Sequence, residues 1–275
     1  MPETPVVVIE AGRRPAARLA PELWEHRELL YFMVWRDLKV RYKQTALGAA
    51  WALIQPFATM VVFSLFFGRL AGIPSDGVPY PVFSYAALVP WTYFATALAG
   101  GAQSLVGSQH LISKVYFPRL LVPLAAVITP LVDAAIALVL LAALMAWFGV
   151  APTGGLVWLP AFALLAVAAA AAGGVWLAAL NVKYRDVRYV MPFLVQVWLF
   201  VTPVAYPTSL VPERWRAVYS LNPMATVVDG FRWGLVGGPA PSAGMIAASA
   251  AAVAVALAAA FMYFRATEES FADVI

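Results

Sequence analysis

Long apolar runs alternate with short polar intervals along this chain. From residue 49 onward, six stretches carry almost no charge: 49–68, 82–106, 120–150, 156–182, about 189–206 (within 189–212) and 243–264. A helix needs about 20 apolar residues to cross a hydrocarbon core roughly 30 Å thick. The pattern therefore predicts an all-α integral membrane protein with six transmembrane helices. The third run is long enough to tilt or to project into water. Pro56, Pro90, Pro123, Pro130, Pro160, Pro192 and Pro203 lie inside these runs. Membrane helices accommodate them because neighbouring groups re-satisfy the freed carbonyls. Gly100-Gly101, Gly173-Gly174 and the Ala runs of spans four and six suit close helix crossings.

Composition agrees. The 275 residues are 63% hydrophobic and 12% charged, whereas a soluble domain is about 25% charged. Fourteen acidic and eighteen basic residues are too few to clothe a soluble surface of this size. The absence of cysteine excludes disulfides and thiolate metal sites. A net charge of +4 would suit nucleic acid, but the bases flank apolar runs, which points to membrane lipid and to no nucleic acid. The first thirty residues contain only the short apolar run VVVI, not the h-region of a signal peptide. Residues 1–21 read as a flexible cytoplasmic tail and 266–275 as a cytoplasmic tail. Fourteen of the eighteen Lys and Arg fall in 1–48, in 107–119, in 183–188 and at Arg265. The other four are Arg69, Arg214, Arg216 and Arg232. The positive-inside rule places the first set, and with it both termini, in the cytoplasm.

Four wet stretches carry further information. Residues 22–44 mix aromatic and basic side chains, with Leu30, Met33, Val34 and Leu38 on one helical face. They predict an amphipathic helix lying in the membrane interface before span one. HLISKVYFPR (110–119) places Leu111, Ile112, Val115 and Tyr116 on one side and His110, Ser113, Lys114 and Phe117 elsewhere, and it ends at Pro118. Periodicity fits a docking helix and an anchored loop equally well. NVKYRDVRYV (181–190) is a short basic loop that reads mainly as an orientation signal. Residues 203–242 are too polar for a span and too aromatic for a simple loop. They predict re-entrant helices at about 207–221 and 223–236 on the outer face, where protein satisfies the backbone.

Catalytic chemistry is missing. His26 and His110 lie far apart, no metal-ligand spacing occurs, and there is no Gly-x-Ser-x-Gly elbow. The P-loop pattern is absent, so the chain itself should not hydrolyse ATP. Asp133 is the one charge deep in a span, and an ionisable residue there costs roughly 2.5–3.5 kcal/mol. With no second buried charge in another span, a proton relay is poorly supported. By elimination the chain is a pore whose energy comes from elsewhere.

Three motifs resemble one family. WRDLKVRYKQTALGAAWALIQP (35–56) resembles the entry to span one in permease subunits of type-2 ABC exporters, in the polysaccharide export branch. It carries that branch's pattern at Arg41, Tyr42, Thr45, Leu47, Gly48, Trp51 and Pro56. LISKVYFPR (111–119) resembles the same branch's coupling segment, and LNPM (221–224) also matches. The resemblance implies a six-span domain over 45–265 that works as a homodimer with two copies of a separate cytoplasmic ABC ATPase in the bacterial inner membrane. ATP and Mg2+ would belong to that partner, with no cofactor on this chain. By the same analogy residues 22–44 form an interface helix, marked by Trp35, Arg36, Lys39, Arg41 and Tyr42. Residues 107–118 become a coupling helix with Leu111, Ile112, Lys114, Val115, Tyr116 and Phe117. Residues 207–236 become outer gate helices with Trp215, Tyr219, Phe231 and Arg232. The implied substrate is an undecaprenyl-linked glycan such as O-antigen, capsule or teichoic acid. Aromatic rings offer faces for sugar C–H groups, and Trp51, Phe57, Phe63, Tyr85, Trp91, Tyr93, Phe94, Trp198 and Tyr206 are the candidates for a channel. Fewer than half are expected to line one, since such rings also form interfacial belts and face lipid. Alternatives are a type-2 exporter of a small hydrophobic drug or lipid, and a glycan flippase or glycosyltransferase that works without ATP.

Overall fold

The apolar runs become helices because no water is available in a bilayer to satisfy a free backbone. The computed structural model describes residues 19–43, 48–112, 114, 117–268 and 271. Before span one come α1 (Leu19–Glu25) and α2 (Arg27–Lys43). Span one is α3 (Trp51–Phe63), which widens into a π-helical stretch, Ser64–Leu70, closed by Ala71 N–H donating to the Phe66 carbonyl. Span two is α4 (Tyr80–Gly107), followed by the short α5 (Gln109–Ile112). Span three is interrupted at Thr129-Pro130, giving α6 (Leu121–Ile128) and α7 (Leu131–Phe148). Pro130 has no N–H to continue the ladder there. The fourth apolar run forms a short 3-10 turn, Gly154–Trp158, and α8 (Leu159–Lys183). The fifth forms α9 (Val187–Val201). Then come α10 (Glu213–Tyr219), α11 (Pro223–Val236) and α12 (Ala243–Thr267).

Five of these segments are long and apolar enough to span a bilayer, and α9 is a shorter apolar helix of 15 residues. At 1.5 Å per residue α9 rises only about 22 Å. The predicted fifth span reached about residue 206, but after Val201 the chain leaves the helix and runs irregularly to a 3-10 turn at Thr208–Leu210.

Caps follow the sequence. Gly149 and Gly237 end α7 and α11 in the left-handed region, at φ 68° and 83°. Asn222 and Ser242 start α11 and α12 by accepting N–H bonds from Met224 and Met245.

Span two is the hub. It packs against α3, α6, α7, α8, α9 and α11, and most of its side chains are buried. Its crossing with α8 is backbone-close: a Cβ on Gly101 would lie 2.9 Å from Gly174 Cα. Asn181 of α8 donates to the Ala102 carbonyl at 2.9 Å and pins the same pair. The Gly pairs seen in the sequence thus face one another.

The core has two parts. The larger is built around α4, α8 and α11. The smaller lies at the end of the bundle where the two ends of the described chain meet. There Met33 of α2, Leu105, Ile112, Phe117, Leu120, Phe264 and Phe271 are buried together. Phe271, in the segment read as a cytoplasmic tail, packs edge-on against Phe264 at 5.3 Å. Arg119 donates to the Glu268 carbonyl, and Arg265 pairs with Glu22 at 2.9 Å. Residues just beyond span six are therefore folded onto the bundle.

Candidate functional site

At the terminal end, the segment after span two turns back as α5 and buries Ile112 and Phe117 in the smaller core. Leu111 is half-buried against the same cluster, and Lys114 is exposed. The sequence reading set Phe117 apart from the apolar side. The structure buries it in the smaller core with Leu120 and Leu121. The candidates Val115 and Tyr116 lie outside the described residues.

The helix predicted at 22–44 is present as α1 and α2, with His26 between them. Met33 is buried, and Leu30 and Val34 pack beside it, as periodicity required. The opposite side is not uniformly polar. Tyr31, Phe32, Trp35 and Val40 are exposed there among Arg36, Lys39 and Lys43, and the Lys39 ammonium lies 5.3 Å from the Trp35 ring centre. Apolar groups ring α2, with one set facing the protein and the other facing its surroundings. Thr45 and Leu47 of the span-one motif lie outside the described residues.

The C-terminal turn of α2 makes the contact that sequence reasoning did not foresee. Arg41 Nη1 lies 2.5 Å from Asp133 Oδ2, and the Tyr42 hydroxyl donates to the other oxygen, Oδ1. Both motif residues thus converge on the single charge of span three. Partial burial, then the carboxylate beside it, pushes the Tyr42 hydroxyl up to about 12, so it stays a donor. The site adjoins two clefts. One of about 640 Å³ is lined by Asp37, Arg41, Thr96, Gln103 and Thr129, among others. The second, of about 210 Å³, includes Arg41, Tyr42, Trp51, Gln55, Tyr93 and Asp133.

The channel candidates separate into two groups. Trp51 and Phe57 of span one are exposed, and Trp198 and Tyr206 are partly buried. Phe63, Tyr85, Trp91, Tyr93 and Phe94 are core residues instead, and Tyr85 has no exposed surface at all. Span two sits at the centre of the bundle, so its rings are spent on packing. Tyr93 donates to the Val127 carbonyl at 3.2 Å, and Phe94 packs edge-on against Trp198 at 5.0 Å. The enclosed rings of Tyr85 and Phe94 have no face left for a sugar, whereas Tyr93 also borders the 210 Å³ cleft.

The far-end candidates separate similarly. Trp215 is exposed on α10, and the Tyr219 hydroxyl is 2.5 Å from that of Tyr206. Phe231 and Arg232, read from sequence as gate residues, are buried in α11. Arg232 donates to the carbonyls of Pro203, Val204, Tyr206 and Phe83. It satisfies the irregular backbone that follows α9. Beside it Thr208 donates to Asp229 at 2.8 Å. Asn222, inside the LNPM motif, accepts from Trp198 Nε1 at 3.0 Å and donates to Thr202 Oγ1 at 3.1 Å. Its pairing with Trp198 across the chain was not readable from the motif.

Among the described residues no cluster of His or carboxylates is placed to hold a metal ion. The described residues form a bundle of apolar helices, five of them long enough to cross a membrane, whose own side chains supply packing and polar joints. The chain belongs to the ABC-2 type transporter family, whose model matches residues 28–236. It is 33% identical over 261 residues to the O-antigen export system permease protein RfbA of Myxococcus xanthus, covering 94% of this chain and 99% of that one. The protein of the same name from Klebsiella pneumoniae is 25% identical over 206 residues, covering 74% and 79% of the two chains. The polysialic acid transport protein KpsM of Escherichia coli is 21% identical over 198 residues, covering 70% and 76%.

Proposed function

We propose that this chain is the membrane subunit of an ATP-driven exporter that moves a lipid-linked polysaccharide from the cytoplasmic side of a bacterial inner membrane. The observation that carries the reading is similarity along nearly the full chain to a permease named for O-antigen export. The chain carries no P-loop pattern, which supports a reading in which ATP hydrolysis, with its Mg2+, belongs to a separate ABC ATPase. Two copies of the chain with two ATPases would form the working unit, with both termini in the cytoplasm. The exposed rows on spans one and five, including Trp51, Phe57, Phe193 and Val197, suit the contact between copies. Closure of the ATPase pair would push on residues 107–118 and on α2. The two copies would then part along those rows and let the glycan pass.

The test is complementation. A bacterium lacking its own O-antigen permease is given this chain together with a candidate P-loop ATPase from the same source. Surface glycan is expected only when both are expressed and the ATPase is active. Glycan export that ignores ATPase inactivation would replace this reading with an ATP-independent flippase. Export of small hydrophobic compounds without glycan would replace it with a drug or lipid exporter.

A further inference from the structure

The contact between Arg41, Tyr42 and Asp133 joins α2 to the break in span three. Arg41 and Tyr42 lie in the last turn of α2, and Gly48, just before span one, adopts a positive φ of 48°. Asp133 lies in the first turn of α7, just past the break at Thr129-Pro130. The helix before that break, α6, begins two residues after Arg119, where the docking segment ends. It packs along α2 and carries Leu121 and Val122 into the smaller core with Ile112 and Phe117. A covalent and packed route thus runs from the docking segment through α6 to Asp133, and from Asp133 through Arg41 to the start of span one.

Stability alone is a weak reason for such a pair. A charge in a span is costly, and ion pairs removed from water are often matched by apolar residues of similar volume. The pair is also set beside clefts rather than sealed in the core. Arg41, Thr96 and Pro130 line both cavities, so the elements on either side have room to shift. A short two-pronged contact between hinges keeps them in register while the walls around them move.

We propose that Asp133 is a positioning residue for transport: through Arg41 and Tyr42 it passes displacement of the docking segment and α6 to span one. This rests on the ATP-driven reading above. Asp133 touches no substrate in this role and acts through the two α2 side chains.

The chain has no cysteine, so a single Trp51→Cys reports span one by its rate of maleimide labelling. The experiment compares that rate with and without ATP plus vanadate, in the complete complex with the ATPase in lipid nanodiscs. In the Trp51→Cys background nucleotide is expected to change the rate. Asp133→Asn and Arg41→Asp are each expected to cut that response by about fivefold or more, the lower end of typical coupling between sites. The swap Arg41→Asp with Asp133→Arg is expected to restore it. Tyr42→Phe, which removes one hydroxyl, covers the case in which the charge variants fail to assemble, and a smaller loss of response is expected. A response that survives Asp133→Asn, or Tyr42→Phe where the charge variants cannot be assembled, overturns the proposal. So does a swap no better than either single change. Variants that lower only the amount of complex, with its response intact, reduce the pair to a brace and also overturn it. No nucleotide response in the Trp51→Cys background alone, with the pair intact, would instead count against the ATP-driven reading.

Discussion

The guanidinium carbon of Arg232 lies 3.5 Å from the centre of the Phe83 ring, at the end of the bundle away from the chain termini. One face of the cation is covered by the ring, while its N–H groups are directed at four backbone carbonyls. Only a planar fork can do both. Arg232→Lys supplies one ammonium where several separate carbonyls must be met, and each orphaned group costs about 1–3 kcal/mol. We expect the variant to lower the thermal unfolding midpoint clearly, as read by tryptophan fluorescence in detergent. An unchanged midpoint would show that the irregular segment after α9 holds itself.

The crossing of spans two and four gives a paired prediction. Gly101→Ala places a methyl group 2.9 Å from Gly174 Cα, with no flexible side chain to yield. Overpacking of this kind costs roughly 1–3 kcal/mol. Gly100→Ala meets only the Ala126 carbonyl at 3.7 Å, an ordinary contact. The neighbours should therefore differ sharply in unfolding midpoint, and equal effects would contradict the packing.

Phe271→Ala tests the fold of the C-terminal segment. Its ring is buried with Phe264, Ile112 and Phe117. Losing a buried Phe costs up to about 3–5 kcal/mol. Phe271 belongs to the smaller core and not to the larger one, so the loss should show as local opening. Hydrogen exchange at 109–112 is expected to quicken while spans two and four stay protected. No change at 109–112 would detach the segment from the docking region.

Docking itself is tested by Lys114→Glu combined with Leu111→Asp. Lys114 is exposed and Leu111 half-buried at the terminal end. Reversing a charge and adding another at a contact costs a few kcal/mol. Since 1.4 kcal/mol is tenfold, co-purification of the ATPase should fall by at least about tenfold. Undiminished co-purification together with unimpaired glycan export would remove residues 107–118 from the contact.

Sequence made the helices legible where one physical rule dominates. Apolar length read spans two, four and six as 82–106, 156–182 and 243–264, where helices run Tyr80–Gly107, Leu159–Lys183 and Ala243–Thr267, and Gly100-Gly101 and Gly173-Gly174 marked a close crossing that the structure contains. The site was less legible because ring chemistry does not encode depth. Trp51 and Trp91 look alike in a sequence, yet one is exposed on span one and the other enclosed by span two. Asp133 was visible as an anomaly, and Arg41 and Tyr42 as motif residues. Nothing local joined them, since 91 residues separate Tyr42 from its acceptor. Phe271 was read as tail because a lone ring beside acidic residues gives no periodic signal.

Counting helices by length alone finds five crossings, an odd number, which would leave the two chain ends in different compartments. The proposed topology, with both termini in the cytoplasm by the charge distribution, requires an even number. The 15-residue α9 reconciles the two if residues 202–207 complete its passage as irregular backbone held by Arg232 and Asn222. A reporter enzyme joined after Thr267 should then be active in the cytoplasm. Disrupting Arg232 should disturb that topology without changing the hydrophobicity of any span.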